Sequence, residues 1–135
     1  MTMQKPTVLI VEDEAIFALD LRSRLEAMGF DVLGLCATGE AAIEQATDLK
    51  PQVVAMDIRL AGAMDGITAA TAIRDRVGSR IVYITAQGDV DTIRRAAATN
   101  PDGFISKPLR EADLRRVLDY FVHPFPTRST GQPGA

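Results

Sequence analysis

The chain has 135 residues, which is enough for one domain with a buried core. Apolar residues make up 47% and charged residues 24% of the sequence, as in ordinary globular proteins. The net charge of −3 argues against broad nucleic-acid binding, and no apolar run approaches the roughly 20 residues that cross a bilayer. The single cysteine, Cys36, excludes an internal disulfide and indicates a reducing, cytoplasmic location.

Strand and helix patterns alternate along the whole chain. In chain order the prediction is strand 7–11, a helix that carries Ala18, Leu21, Leu25 and Met28 and ends at Gly29, strand 31–37, helix 40–49, strand 52–56, helix 67–77, strand 80–84, helix 90–99, strand 103–106 and helix 110–122. Strict alternation favours parallel strands with right-handed crossovers and helices on both faces of the sheet. We therefore predict an α/β, flavodoxin-like (βα)5 doubly wound fold, with a five-stranded parallel sheet in the order 2-1-3-4-5.

Polar residues stand where four of these strands end. Glu12 and Asp13 follow the first strand, Asp57 follows the third, Thr85 follows the fourth and Lys107 follows the fifth. The carboxyl ends of parallel strands lie at one edge of a sheet, so we expect these side chains to share one site. Crowded carboxylates with no histidine or cysteine beside them favour magnesium over zinc.

The same residues have the chemistry that phosphoryl transfer needs. A carboxylate beside magnesium can attack phosphorus and become an acyl phosphate. The charge on the transferring group then needs cations and hydrogen-bond donors, which Lys107 and Thr85 supply. Taken one at a time, the residues have simpler interpretations: Glu12, Asp13 and Glu14 as helix caps, Thr85 as a strand residue and Lys107 as a solvated turn.

Five motifs in a fixed order give the chain a resemblance to a known family. They are Glu12-Asp13 in LIVEDE, Asp57 in VVAMDIRL, Asp65-Gly66 in MDGI, Thr85-Ala86 in YITA, and Phe104 with Lys107-Pro108 in FISKPL. With these motifs the chain resembles a response-regulator receiver domain of two-component signalling, over about residues 7–122. Each motif alone is weak, but all five fall in order at predicted strand ends.

The resemblance implies a role for each residue of the site. Asp57 accepts a phosphoryl group from the phosphohistidine of a sensor histidine kinase or a histidine phosphotransfer protein. Asp13 binds Mg2+ directly, Glu12 acts mostly through a bound water, and the backbone carbonyl of Arg59 supplies a further ligand. Lys107 pairs with the phosphoryl oxygens.

The resemblance also implies a conformational switch. Thr85 moves to donate a hydrogen bond to the phosphoryl group, and Phe104 turns inward to fill the space left behind. That motion reshapes the face formed by the fourth helix, the fifth strand and the fifth helix. The peptide bond between Lys107 and Pro108 is expected to be cis, and Phe104 lacks the hydroxyl of the commoner tyrosine.

The sequence departs from the family pattern beyond the phosphoacceptor. Ala61 stands where receivers usually carry a proline, and Gly62-Ala63 makes the loop one residue longer. This change bears on the conformation of the loop and on the surface that a kinase contacts. Arg59 and Gln87, each two residues after a site residue, lead to the hypothesis that they set the lifetime of the phosphoaspartate.

The predicted organisation is an N-terminal extension at residues 1–6, a receiver domain at 7–122 and a flexible C-terminal tail at 123–135. So short a tail indicates a stand-alone switch that binds a downstream protein or passes its phosphoryl group onward, although a fragment of a longer protein would look the same. We expect no nucleic-acid or membrane partner. The charges at Arg94, Arg95, Arg115 and Arg116 suit either a homodimer through the switch face or a monomer with a solvated surface.

Two other functions remain open at this stage. One is a degenerate receiver that binds partners without phosphorylation, although the sequence retains Asp57, Lys107 and the acid pair. The other is a small phosphohydrolase that forms an aspartyl-phosphate; such enzymes carry Asp-x-Asp at the nucleophile, whereas residue 59 here is Arg. We therefore expect no enzyme activity beyond self-phosphorylation and autodephosphorylation at Asp57.

Overall fold

A computed structural model describes residues 4–86 and 88–123 of the chain. In chain order its elements are β1 (Thr7–Val11), α1 (Ala15–Met28), β2 (Asp31–Cys36), α2 (Gly39–Leu49), β3 (Val53–Met56), α3 (Gly66–Val77), β4 (Arg80–Thr85), α4 (Val90–Ala98), β5 (Gly103–Ser106) and α5 (Glu111–Val122). All ten predicted elements are confirmed, most with small shifts of their ends. The predicted flexible tail lies outside the described residues, except for His123.

The five strands form one parallel sheet in the order β2-β1-β3-β4-β5. The predicted doubly wound, flavodoxin-like architecture is therefore confirmed. In this order β1 and β3 are neighbours, with Val11 opposite Met56 at their carboxyl ends. The residues that follow these two strands are thus brought side by side.

The core consists of two apolar layers, one on each face of the sheet. On one face, Val8 and Ile10 pack with α1 and α5, which contribute Leu21 and Leu114 among others. On the other face, the alternate strand residues Leu9 and Val11 pack with α2, α3 and α4. Both faces of the strands are buried, which explains why their sequences are continuously apolar.

Local sequence signals set most helix ends. The side chains of Thr38, Asp65 and Asp89 accept hydrogen bonds from backbone N–H groups at the starts of α2, α3 and α4. Gly29 ends α1 in the left-handed conformation, with φ of 108°. Lys50 ends α2 in the same region, one residue before Pro51, so the helix stops where the sequence predicts.

The C-terminal end of α4 is fixed by a polar cluster. Arg74 of α3 donates hydrogen bonds to the backbone carbonyls of Thr99 and Asn100, and it pairs with Asp102 at 3.2 Å. Asp102 also pairs with Arg80 and accepts a hydrogen bond from the backbone N–H of β4. Apart from this cluster and an ion pair from Arg95 to Asp65, α4 is loosely held, since Ala96 is its one buried residue.

Cys36 is buried at the end of β2, as expected for a small hydrophobic residue. Burial raises the pKa of its thiol to about 11, so it is protonated and unreactive at neutral pH. None of the helices in residues 4–86 and 88–123 is long and apolar enough to cross a membrane.

Candidate functional site at the carboxyl edge of the sheet

The three predicted acidic residues meet at the carboxyl edge of the sheet. The backbone N–H of Asp57 donates to Val11 across β1 and β3, and that of Glu12 donates to Cys36 across β1 and β2. These bonds continue the ladders by one residue and fix both side chains beside the sheet. One carboxylate oxygen from each of Glu12, Asp13 and Asp57 lies within 4.8 Å of the others, with Glu12 and Asp57 buried and Asp13 exposed.

Both carboxylate oxygens of Asp57 accept hydrogen bonds. The Thr85 hydroxyl donates a hydrogen bond of 2.7 Å to Oδ1, and the backbone N–H of Arg59 lies 3.3 Å from the same atom. The Lys107 ammonium lies 3.1 Å from Oδ2. Asp57 is therefore held in one orientation by groups from the ends of β4 and β5 and from its own loop.

The Lys107 ammonium has three carboxylate partners. Its Nζ lies 2.8 Å from Glu12, 3.1 Å from Glu14 and 3.1 Å from Asp57. Burial disfavours the ammonium, but hydrogen bonds from it to Glu12, Asp57 and Glu14 raise the pKa of Lys107 above its ordinary value. Lys107 is thus fully charged at neutral pH.

One ammonium does not balance the negative charge of the site. Burial raises the pKa of Glu12 to about 7, although Lys107 donates a hydrogen bond to it, and the nearby Asp57 carboxylate adds to the rise. The donors are carboxylate oxygens, which are the ligands that Mg2+ prefers. The excess charge and the oxygen-only donor set both fit a divalent hard cation.

The lengthened loop after Asp57 is ordered by contacts at both ends. Ala61, which replaces the usual proline, forms an isolated parallel bridge with Thr38 at the start of α2. At the other end, the Gly66 N–H donates a hydrogen bond of 2.7 Å to the Ile58 carbonyl. A Cβ at Gly66 would overlap the backbone oxygen of Asp57, so the loop returns against the backbone of Asp57.

The other predicted switch residue lies beside the site. Phe104 is half-buried, and its ring centroid lies 6.0 Å from that of Tyr83. It lines a narrow gap, together with Ile58, Thr85 and the first turns of α4. The Lys107-Pro108 bond that follows β5 is cis, as the resemblance implies.

The sequence did not indicate two contacts of Lys107. Glu14 precedes α1 at the cap position, but its side chain makes no capping bond and reaches Lys107 instead. Phe17, in the first turn of α1, places its ring 4.2 Å from the Lys107 ammonium. In the sequence, the only available indication of these contacts was the position of Glu14 and Phe17 shortly after the acid pair. Gln87 lies outside the described residues.

Three of the four arginines that the sequence left open as dimer contacts, Arg95, Arg115 and Arg116, have acidic partners in the same chain. Arg95 of α4 donates to Asp65 at 3.0 Å, and Asp65 also caps α3. Arg115 pairs with Glu111, and Arg116 pairs with Asp113, within α5. These pairs account for the alternating charges of α5 without a second chain.

Comparison with known proteins agrees with this geometry. A family model of the response regulator receiver domain matches residues 8–119. The chemotaxis protein CheY of Thermotoga maritima is 30% identical over 113 residues, which cover 83% of this chain and 93% of CheY. The transcriptional regulatory protein PdtaR of Mycobacterium tuberculosis is 34% identical over 118 residues, which cover 87% of this chain and 57% of PdtaR.

Solved structures give the same result. The receiver domain of a modulated diguanylate cyclase from Desulfovibrio desulfuricans G20 superimposes with a TM-score of 0.82 at 40% identity, covering 90% of this chain and 96% of that one. A structure of the CheX–CheY–BeF3–Mg2+ complex from Borrelia burgdorferi gives a TM-score of 0.77 at 30% identity, covering 87% of this chain and 90% of that one.

The chain belongs to the response regulator receiver domains of two-component systems. Its class is therefore that of phosphoacceptor signalling switches, which bind Mg2+ at an acidic site and interact with histidine kinases or phosphotransfer proteins. The chain spans about half the length of the first curated relatives it matches, 57% of PdtaR and 41% of the regulator PhyR of Methylorubrum extorquens.

Proposed function

We propose that Asp57 is the phosphoacceptor of this receiver domain. An Asp57 oxygen attacks the phosphorus of a phosphohistidine, the bond from phosphorus to the imidazole nitrogen breaks, and the freed imidazole takes up a proton. The observation that carries the proposal is the arrangement around Asp57, with the Thr85 hydroxyl at 2.7 Å and the Lys107 ammonium at 3.1 Å. These two groups provide a donor and a positive charge where the phosphoryl oxygens would arrive.

We propose that Asp13, Glu12, Asp57 and the backbone carbonyl of Arg59 hold Mg2+, with Glu12 acting mostly through a water molecule. The support for this is the close approach of the three carboxylates and the raised pKa of Glu12. Bound Mg2+ would neutralise the carboxylates and the incoming phosphoryl oxygens. The protein's own part is to orient Asp57 by three hydrogen bonds before it attacks.

The output is proposed to pass through Thr85 and Phe104 to the face of α4, β5 and α5. Thr85 would exchange its bond to Asp57 for one to the phosphoryl group, and Phe104 would turn toward the gap that it now lines. The loose attachment of α4 supports this route, because little burial opposes its displacement. The product is a reshaped surface for a downstream protein or for onward phosphotransfer.

We also propose the wider setting predicted from the sequence. The receiver domain comprises residues 7–122, acts in the cytoplasm, and undergoes only self-phosphorylation and autodephosphorylation at Asp57. Its phosphodonor is a sensor histidine kinase or a histidine phosphotransfer protein, and the active form is a monomer or a dimer through α4, β5 and α5. The Borrelia CheY captured with CheX, BeF3 and Mg2+ supports partner binding by a domain of this shape.

The experiment is incubation with acetyl phosphate and Mg2+, followed by intact mass measurement. Wild type is expected to gain one phosphoryl group, and Asp57→Asn none. Asp48→Asn, which alters an exposed acid on α2, is the matched control and should still react. A wild-type protein without an adduct would favour the phosphorylation-independent receiver, while steady turnover of a general phosphatase substrate would favour the phosphohydrolase.

A further inference from the structure

The first turn of α1 holds an aromatic contact that the proposed chemistry does not yet use. The Lys107 Nζ lies 4.2 Å from the centroid of the Phe17 ring. The Lys107 side chain is only 14% exposed, so little water competes for the ammonium. An ammonium at this distance over a ring face is attracted by the ring's quadrupole, and more strongly where both are desolvated.

The three carboxylate partners of Lys107 either change their bonding during the reaction or bind it weakly, whereas the contact with the ring does not change. The Asp57 oxygen must change its bonding when it attacks phosphorus, and Glu12 lies in the group expected to bind a cation. Glu14 is 69% exposed, and such exposed ion pairs contribute little. Phe17 is uncharged and packs against the core layer beneath α1, so its position does not depend on the charge state of the site.

We propose that Phe17 is a positioning residue for phosphoryl transfer, because its ring holds the Lys107 ammonium beside Asp57 while the carboxylate partners of that ammonium change. This inference rests on the proposed function of Asp57 and Lys107. It assigns to α1 a part in the reaction beyond supplying core residues. It also ranks the contacts of Lys107 with Phe17 and Glu14, since the half-buried ring outweighs the exposed Glu14 carboxylate.

The first test compares phosphorylation rates of variants at this position, with acetyl phosphate and Mg2+. Phe17→Leu removes the ring and is expected to react about three- to tenfold more slowly, which is the range that the loss of such a contact gives. Phe17→Tyr keeps a ring face and should react within about twofold of wild type.

Phe121→Leu is the matched control. Phe121 is a half-buried phenylalanine of α5 that packs against the same core layer, away from the site. The same chemical change there should lower the midpoint of urea unfolding without slowing phosphorylation. If Phe17→Leu does not fold, Phe17→Met replaces the ring with an unbranched, flexible apolar side chain instead.

The second test reads the contact itself, without metal or phosphodonor. Lys5, Lys50 and Lys107 are the three lysines of the chain, so an NMR spectrum of lysine-labelled protein is simple to assign. The ε-methylene protons of Lys107 should be shifted upfield by the Phe17 ring current in wild type and in Phe17→Tyr. The shift should vanish in Phe17→Leu.

The outcomes separate the two proposals. Wild type without the upfield shift, or Phe17→Leu that folds and reacts as fast as wild type, would overturn the role of Phe17 alone. An equal slowing in Phe17→Leu and Phe17→Tyr would do the same. Wild type that shows the shift but takes up no phosphoryl group would contradict the proposed function, and the positioning role with it.

Discussion

Gly66 lies so close to the backbone of Asp57 that its lack of a side chain is a condition of the site. An added Cβ would overlap the Asp57 carbonyl oxygen and lie 2.9 Å from Ile58 Cα. We predict that Gly66→Ala lowers the free energy of unfolding by about 1–3 kcal/mol, because the backbone must move to make room. Phosphorylation should slow in the same variant, since Asp57 moves with its backbone.

Gly88→Ala is the comparison for this prediction. A Cβ at Gly88 would make ordinary contacts of 3.6 Å with Thr92. Urea unfolding of the two variants measures the difference. Equal midpoints for Gly66→Ala and Gly88→Ala would show that the close approach to Asp57 has no energetic consequence.

Arg59 provides a second prediction for a single side chain. It is exposed beside Asp57, and its guanidinium helps to lower the pKa of Asp89 at the start of α4, after the larger effect of the hydrogen bonds from Thr92. We expect it to shield a phosphoryl group on Asp57 from water, so Arg59→Ala should speed autodephosphorylation by more than about twofold, or ~0.4 kcal/mol of barrier. Arg22→Ala, an exposed arginine of α1, is the control. Equal lifetimes would remove Arg59 from the hypothesis.

The residues of the site were predictable to different degrees. Glu12, Asp13, Asp57, Thr85 and Lys107 each stand at or just after the end of an apolar strand, so strand order alone brings them to one edge. The contacts of Lys107 with Glu14 and Phe17 were not predictable, since residues 93 and 90 positions apart meet only after the helix packs. The overlap at Gly66 likewise depends on the path of a loop that has no periodic signal.

Among the secondary-structure elements, α3 and α4 are joined by an ion pair that links the loop after Asp57 to the face of α4, β5 and α5. Arg95 lies 3.0 Å from Asp65, which caps α3 through Thr68. We predict a coupling free energy of about 0.2–1 kcal/mol between Asp65→Asn and Arg95→Gln in a double-mutant cycle. The coupling should fall with added salt, because both groups are partly exposed.

The same cycle on Asp113 and Arg116, which pair within α5, serves as the control. The coupling free energy of that pair should be as small as that of Asp65 and Arg95. Its variants should leave the phosphorylation rate unchanged. Additive effects of Asp65→Asn and Arg95→Gln at low salt would show that the contact between the helices contributes no free energy to stability.

Asp65 also gives a prediction about pH. Partial burial favours the neutral acid, but hydrogen bonds from Thr68 and Arg95 hold the pKa of Asp65 below its ordinary value. Its contribution to stability is therefore present above the unfolded-state pKa of about 3.9 and is lost as the pH falls through the lower folded-state value. Unfolding of Asp65→Asn measured from pH 6 downward should depend less on pH in that acid range. Curves of stability against pH that run parallel for wild type and Asp65→Asn would contradict this prediction.

Helix and strand boundaries were predicted well because their signals are local. Gly29, Pro51 and the caps at Asp65 and Asp89 act within one turn of the chain. The predicted strand at residues 31–37 ends one residue earlier, at Cys36. The bridge between Ala61 and Thr38 joins distant segments, and no local pattern indicates it.

For the molecule as a whole, the acidic site should couple cation binding to stability. Glu12, Asp13 and Asp57 face one another at close range, so folding brings like charges together. We predict that Mg2+ stabilises the fold by about 2.7 kcal/mol at a concentration one hundred times its Kd, because it binds the folded chain alone. Thermal unfolding at increasing MgCl2 measures the rise in Tm.

Asp13→Asn should weaken this response, while Asp48→Asn should keep it, since Asp48 is exposed on α2. The measurement needs no phosphodonor, so it tests the cation site separately from the reaction at Asp57. A Tm that responds to MgCl2 equally in all three proteins would mean that the cation binds elsewhere.

The polar cluster at the C-terminal end of α4 makes this helix a lever with a fixed pivot. Arg74 holds the carbonyls of Thr99 and Asn100, whereas the first turn, from Val90, is exposed. The nine residues of α4 give an arm of about 13 Å at 1.5 Å per residue. A tilt of about 10° at the pivot therefore carries the free end through roughly 2 Å. Because the free end borders the gap beside Thr85, a change in that gap acts on α4 at the end that is held least.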